Sequence, residues 1–394
     1  MPILPDDYAP LAVPIPVRHR RKVPFRPPIR LPTGAEATLR EIASLDRDLS
    51  ELVVPAAAFE DRIQDVVASN LHSSVALEGN PLSLAEVRAV VRDSFRGRRP
   101  RTPPPPRQEI LNHLAVWLLP EQLGATWTIE TLTELHAHLL VRVDPRAHPG
   151  RLRTTRAGVY SDRNELVFVP APPEHIRSEL GSLLTWLGED ARALSPLVAA
   201  TVFFHEFESI HPFREGNGRT GRVLFHAYLQ NRGLPQAYRA RIELELLRHP
   251  EAYYRVLSWT DAKGDYSNLL RYFVEATRTA YGEAVEWFRA RDVAHDLDPL
   301  SRRLLAEALR HGDWFTLQEA HAWGFGRGEQ AIRLHLNVLV GRSLLEVRGK
   351  TRSLRYRFAD PLADVRPARL ASGAGRSTAG AGGVRGATAP EPGR

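Results

Sequence analysis

The 394-residue sequence predicts a mainly α-helical protein with one short β-hairpin in its body, followed by a small module of three helices and a second hairpin. Three observations carry this reading. Apolar residues recur at helical spacing over most of the chain, as in Ile63, Val66, Val67, Leu71 and Val75. Strand-like runs are confined to two places, 158–169 and 344–358. The composition is 43% hydrophobic and 25% charged, which is ordinary globular usage.

In chain order, residues 1–32 hold nine prolines and the cluster Arg18-His19-Arg20-Arg21-Lys22, so they read as an extended arm that builds no regular element by itself. A helical region with two amphipathic segments, 35–52 and 59–77, occupies 33–107. Its second segment stops at Glu78-Gly79-Asn80-Pro81, and a capping box, Ser83-Leu84-Ala85-Glu86, starts a third. Residues 97–107 read as a proline-arginine loop. The body, 108–298, carries helical patterns at 108–119, 128–141, 174–187, 196–210, 219–231, 250–262 and 266–291. It is interrupted by a hairpin, 158–160 and 165–169, around Ser161-Asp162-Arg163-Asn164. Residues 299–360 contain helical segments near 300–311, 316–323 and 328–340, then strand-like runs 344–348 and 354–358 separated by Gly349-Lys350-Thr351-Arg352. That succession predicts a winged helix. The tail 361–394, rich in Gly, Ala and Arg, reads as disordered.

Composition excludes several chemistries. Cysteine is absent, which removes disulfides, thiolate catalysis and thiolate metal sites. Only Lys22, Lys263 and Lys350 occur, and none follows a phosphate-binding glycine loop, so a Walker-type NTPase is excluded. Apolar stretches such as 197–204 fall short of the roughly 20 residues that span a bilayer, and the N-terminus has no export-signal pattern. A cytoplasmic protein without a membrane partner is therefore expected. Residues 33–298 carry 31 basic and 36 acidic side chains, whereas 299–358 carry eleven and five. Nucleic-acid contact, if present, belongs to the C-terminal module.

One segment concentrates the chemistry: His211-Pro212-Phe213-Arg214-Glu215-Gly216-Asn217-Gly218-Arg219-Thr220-Gly221-Arg222. It lies between two helical patterns. Gly216 and Gly218 lack a Cβ and let backbone amides approach a ligand, and the helix N-terminus that follows favours an anion. Arg219 and Arg222 are three residues apart on one helix face and suit a polyphosphate. Glu215 suits a Mg²⁺ held between phosphates. His211, with an ordinary pKa of about 6.5, suits proton removal from an incoming hydroxyl. Together they describe phosphoryl or nucleotidyl transfer from a nucleotide.

The segment resembles the Fic family motif H-x-F-x-[DE]-G-N-G-R-x-x-R and meets every specified position. The resemblance covers roughly residues 35–290 and implies a Fic fold, a helical bundle with a β-hairpin flap. It also implies protein adenylylation: AMP moved from ATP, with Mg²⁺, to a Ser, Thr or Tyr hydroxyl of a target protein. His211 is then the base, Phe213 the anchor of the loop and Glu215 the metal ligand. Gly216, Asn217 and Gly218 hold the phosphates, with Arg219 and Arg222 on the β- and γ-phosphates. Ser74-Val75-Ala76-Leu77-Glu78-Gly79 resembles the family's inhibitory segment, [ST]-x-x-x-E-[GN], in which Glu78 pairs with Arg222 and removes the γ-phosphate clamp. The 158–169 hairpin fits the flap, whose exposed edge aligns a target segment by strand addition. Tyr254 resembles the aromatic beside the adenine. Asp261 stands where an amide often reads the base, which leaves the choice of nucleotide open. Self-modification and a homodimer are further partners in this reading, and the winged helix is a candidate DNA-binding surface. The alternatives are a DNA-binding regulator with a nucleotide-sensing core, and a Fic enzyme that uses UMP or GMP or removes AMP with Glu78 positioning water.

Overall fold

The computed structural model describes residues 15–359 apart from 99, 118–122, 125, 162, 294–295 and 351–352. The tail predicted to be disordered lies outside these residues. Eleven helices build the body among the described residues, all close to predicted segments except a five-residue helix at 242–246 that was not expected. They are α1 (Ala35–Glu51), α2 (Ala56–Ala76), α3 (Leu84–Phe95), α4 (Pro105–Trp117), α5 (Ile129–Leu140), α6 (Pro173–Gly188), α7 (Pro196–Ile210), α8 (Asn217–Arg232), α9 (Ile242–Leu246), α10 (Pro250–Lys263) and α11 (Ser267–Arg289). The last residues of the proline-arginine stretch form the first turn of α4. Proline is tolerated there because those N–H groups have no intrahelical partner. None of the described helices is long and apolar enough to cross a membrane.

The helix α7 is the axis of the fold. All but two of its fifteen residues are buried, as expected of a helix that is apolar on every side. Around it α5, α6, α8 and α11 close one core that includes Phe203, Phe204, Phe207, Phe225 and Phe273. A separate core joins α2, α3 and α4 through Ile63, Val67, Leu71, Val91, Ile110 and Leu114. The capping box expected at Ser83 is formed: Glu86 N–H donates to Ser83 Oγ, and Ser83 N–H donates back to Glu86 at 2.9 Å. It fixes the direction in which the chain leaves the Glu78 turn.

The proline-rich arm builds its one strand against the body. Val17–Arg18 is strand β1, paired in parallel with β3 (Leu166–Val169), which is also antiparallel to β2 (Val159–Tyr160). His19 N–H donates to Val169 O at 2.8 Å, Val17 and Phe25 are buried, and the Phe25 ring meets Trp186 edge-on at 5.2 Å. The arm thus acquires its structure only against the rest of the protein. One consequence concerns the hairpin: β3 is the central strand, and its second edge is already occupied.

The C-terminal segment runs α12 (Pro299–His311), β4 (Phe315–Thr316), α13 (Leu317–Ala322), α14 (Glu329–Gly341), β5 (Leu345–Arg348) and β6 (Arg355–Phe358), with sheet order β4-β6-β5. Asp298 caps α12, accepting from Leu300 and Ser301 N–H at 3.0 Å each. Leu304, Leu305, Phe315, Leu336 and Tyr356 form the module's own core, which also takes in Val53 from the α1–α2 connection.

Candidate active site

The loop between α7 and α8 is built from its own residues. His211 ends α7 in the left-handed region (φ 52°), and Gly216 (φ 78°) caps α8. A Cβ on Gly216 would stand 2.7 Å from Leu140 Cδ1, so the position requires glycine twice over. Phe213 is fully buried and stacks on His136 with centroids 3.8 Å apart and planes 5° from parallel. Asn217 closes the turn: its Oδ1 accepts from Phe213 N–H and its Nδ2 donates to Phe213 O, each at 2.9 Å. The N–H groups of the first turn of α8 have no intrahelical carbonyl and remain as donors. Asn217 can join them only through its backbone. Its side chain is committed to the loop, and only its backbone N–H is left for a phosphate. Because Phe213 is the buried anchor, Phe213→Ala is expected to destabilise the body by about 3–5 kcal/mol. The thermal midpoint would fall accordingly, and an unchanged midpoint would contradict the anchor role.

His211 is half-buried, and its Nδ1 donates to Glu208 O at 3.3 Å. A carbonyl only accepts, so Nδ1 carries the proton and Nε2 keeps its lone pair. Burial, reinforced by the neighbouring Arg153 cation, pulls the imidazole down to about 4. Arg153 is itself fixed against the end of α7: Nε donates to His211 O at 2.6 Å and Nη2 to Ile210 O at 3.2 Å. The imidazole is accordingly neutral and ready to accept a proton far below its ordinary pKa. A His211-dependent reaction should hold its rate from about pH 8 down to about pH 5 and fall only as pH approaches 4. A rate profile that halves near pH 6.5 would contradict this.

Arg222 is held by Ser74 and Glu78, at the end of α2 and just beyond it. Its Nε donates to Ser74 Oγ at 2.8 Å, and Nη2 donates to Ser74 O at 3.0 Å and Glu78 Oε1 at 2.8 Å. Burial alone would raise the Glu78 carboxyl, but Arg222 and then Arg219 outweigh it and hold it below the usual range. The pair sits directly over Gly218, where a Cβ would collide with the Glu78 carboxylate. Arg219 is held differently. Its Nη1 pairs with Glu109, which also accepts from Asn80 Nδ2 at 2.7 Å. Its Nε is buried without a hydrogen-bond partner. That orphaned donor, beside the unpaired first-turn amides, fits a phosphate oxygen.

Glu78, Asn80, Glu109, Asp144, Glu215 and Arg219 line a groove of about 270 Å³. Burial raises the Glu215 carboxyl, with Arg219 opposing. Among the described residues no three metal-binding side chains form a cluster. Glu215, which lines the groove, is a carboxylate that could share a divalent cation with a bound phosphate. On α10, the buried Tyr253 lies beside Arg222 and Glu208, and Tyr254 stands next to it, 48% exposed and edge-on at 5.4 Å. Tyr254 is thus not core packing. Asp261 accepts from Ser209 Oγ at 2.6 Å and faces His205 at 3.6 Å. Burial raises its carboxyl, His205 opposing. Glu208, between these groups, is pushed up to about 8 by burial, with Arg222 opposing and Glu78 and Asp261 adding to it.

Three contributors were not foreseen: His136, Arg153 and Glu109. His136 Nε2 donates to Glu215 O at 2.9 Å while its Nδ1 accepts from Gly150 N–H at 2.9 Å, so it orients the residue that faces the metal position. In sequence it is one more residue on the apolar stripe of α5.

The loop thus runs from a buried helix to the N-terminus of the next, with a neutral imidazole at its head and unpaired first-turn amides at its other end. Residues 126–229 match the model of the Fic/DOC family, and the chain carries a Fic domain. It is 28% identical over 202 residues to protein adenylyltransferase fic-1 of Caenorhabditis elegans, covering 50% of this chain and 38% of that protein. It is 28% identical over 222 residues to protein adenylyltransferase Fic of Nematostella vectensis, covering 51% and 48%. The chain thus spans less than half the length of these curated relatives. Among solved structures, a Fic family protein from Desulfovibrio desulfuricans G20 superposes with a TM-score of 0.55 at 26% identity, covering 85% of this chain and 98% of that one.

Proposed function

We propose that this protein is a protein adenylyltransferase that moves AMP from ATP to a Ser, Thr or Tyr hydroxyl of a target protein and is restrained by Glu78. The observation that carries this reading is the neutral His211, with Nε2 free, at one end of a loop whose other end offers the unpartnered Nε of Arg219. The acceptor hydroxyl gives its proton to His211 Nε2 as its oxygen bonds to the α-phosphorus. The α–β phosphoanhydride bond breaks, and pyrophosphate leaves against Arg219, Arg222 and the first-turn amides of α8. Mg²⁺ at Glu215 would supply charge neutralisation between the phosphates. Tyr254 and Asp261 lie on the α10 side of the site, where the base would sit. Because Asp261 is a carboxyl, GTP and UTP belong in the same test as ATP.

The target segment has less room than the sequence implies. One edge of β3 is covered by β1, so an added strand pairs with the outer edge of β2, where Tyr160 is 58% exposed. The experiment is intact-mass spectrometry of the Glu78→Gly protein, alone and in a lysate of the source cells, after incubation with each nucleoside triphosphate. The reading expects a nucleoside-monophosphate adduct on the protein itself or on a lysate protein, strongest with ATP. Absence of any adduct would discard it.

A further inference from the structure

The C-terminal module is not used by the transfer chemistry, and its exposed face has a composition of its own. On α14, Ile332, Leu336 and Leu339 point into the module's core, while Gln330, Arg333, Leu334 and Asn337 are exposed. At 100° per residue these four fall within about 100° of arc, on one face. Leu334, at one edge of that arc, is 63% exposed. Arginine, the two amides and a methyl-bearing side chain are the groups that read base edges in a major groove: guanine for Arg, adenine for Asn and Gln, the thymine methyl for an apolar tip.

The wing supplies the second observation. Residues 327–358 carry eight basic and two acidic side chains. In the β5–β6 register Arg348 lies directly opposite Arg355 at the turn end of the hairpin, and both are exposed. Like charges directly opposite across a ladder are destabilising, and a phosphate between them would offset that. Two steps back in the register, on the same face, Glu346 and Arg357 are opposite charges, and Arg357 donates to Glu346 at 2.8 Å. Lys350 stands exposed in the turn, and Arg342 is exposed at the end of α14.

We infer that this module binds duplex DNA, with α14 presenting Gln330, Arg333, Leu334 and Asn337 to the major groove and Arg348, Lys350 and Arg355 of the wing on the phosphate backbone. The body, with more acidic than basic side chains over 33–298, offers no comparable charge. Binding is independent of nucleotide transfer, so its success or failure leaves the proposed enzymatic reading untouched.

The test is fluorescence anisotropy of the full chain with a labelled mixed-sequence DNA duplex across a salt series. Engagement of about four phosphates predicts a slope of log affinity on log salt of roughly −3 to −4. The double variant Arg348→Ala/Arg355→Ala should weaken binding and reduce that slope by about 2. Arg26→Ala/Arg30→Ala, an equal charge change on the exposed arm, should leave both unchanged. Asn337→Ala should keep the slope but relax base preference at one position by about tenfold in selection from a random pool. An RNA duplex of equal length should bind more weakly, because its deep, narrow groove does not admit a helix. The inference is overturned by absence of binding at low salt, by an unchanged slope in the wing variant, or by equal affinity for the RNA duplex. It is also overturned if the chain binds no duplex and forms a dimer that Leu334→Asp abolishes, since the face is then a contact between copies.

Discussion

Replacing Glu78 with glycine raises incorporation of label from α-phosphate-labelled ATP by about tenfold or more. The size follows from what the carboxylate does. Its bond to Arg222 is a charge-assisted hydrogen bond at 2.8 Å, and such bonds contribute about 1.5–3 kcal/mol when well shielded. A quarter of the Glu78 side chain is exposed, so solvent screening places it at the lower end, equivalent to about tenfold. Glycine also clears the space over Gly218 into which the carboxylate now projects. Glu78→Gln is the informative companion, since it keeps the volume, loses the charge and should release the site only partly. Equal labelling by the wild type and Glu78→Gly would discard the restraint.

In the released background, His211→Ala lowers transfer by about 10²- to 10⁴-fold, the usual span for loss of a positioned general base. The structure gives this substitution little else to disturb. The imidazole makes one hydrogen bond, to Glu208 O, and the loop is anchored by Phe213 and closed by Asn217. Thermal stability and ATP affinity should therefore change little while turnover collapses. Undiminished transfer would remove His211 from the base role, and collapse of nucleotide binding together with turnover would make its part structural.

The centre of the site was legible in the sequence because its chemistry is contiguous. Residues 211–222 place His211, Glu215, the first-turn amides and both arginines within one turn and the start of one helix, so their order can be read directly from the sequence. The Glu78–Arg222 pair spans 144 positions and was legible only through a second motif. Arg153, His136 and Glu109 had no such marker. Each acts through a contact 58 to 110 positions away in the chain, and each looks locally like a loop arginine, a stripe histidine and a helix glutamate. Asn217 was plain in the motif, but the partners of its side chain, Phe213 N–H and O, follow only from the fold of the loop. The strands β1 and β4 are two residues each, too short to show alternation. They exist because β3 and β6 offer them an edge.

The most direct measurement is a paired labelling of the Glu78→Gly protein and source-cell lysate, one sample with ATP labelled at the α-phosphate and one at the γ-phosphate. The proposed reaction, with His211 at the head of the loop and Arg219 and Arg222 on the helix at its other end, predicts that α-label becomes covalently attached to protein and γ-label departs as pyrophosphate. Attachment of γ-label without α-label would show phosphoryl rather than nucleotidyl transfer and would contradict it.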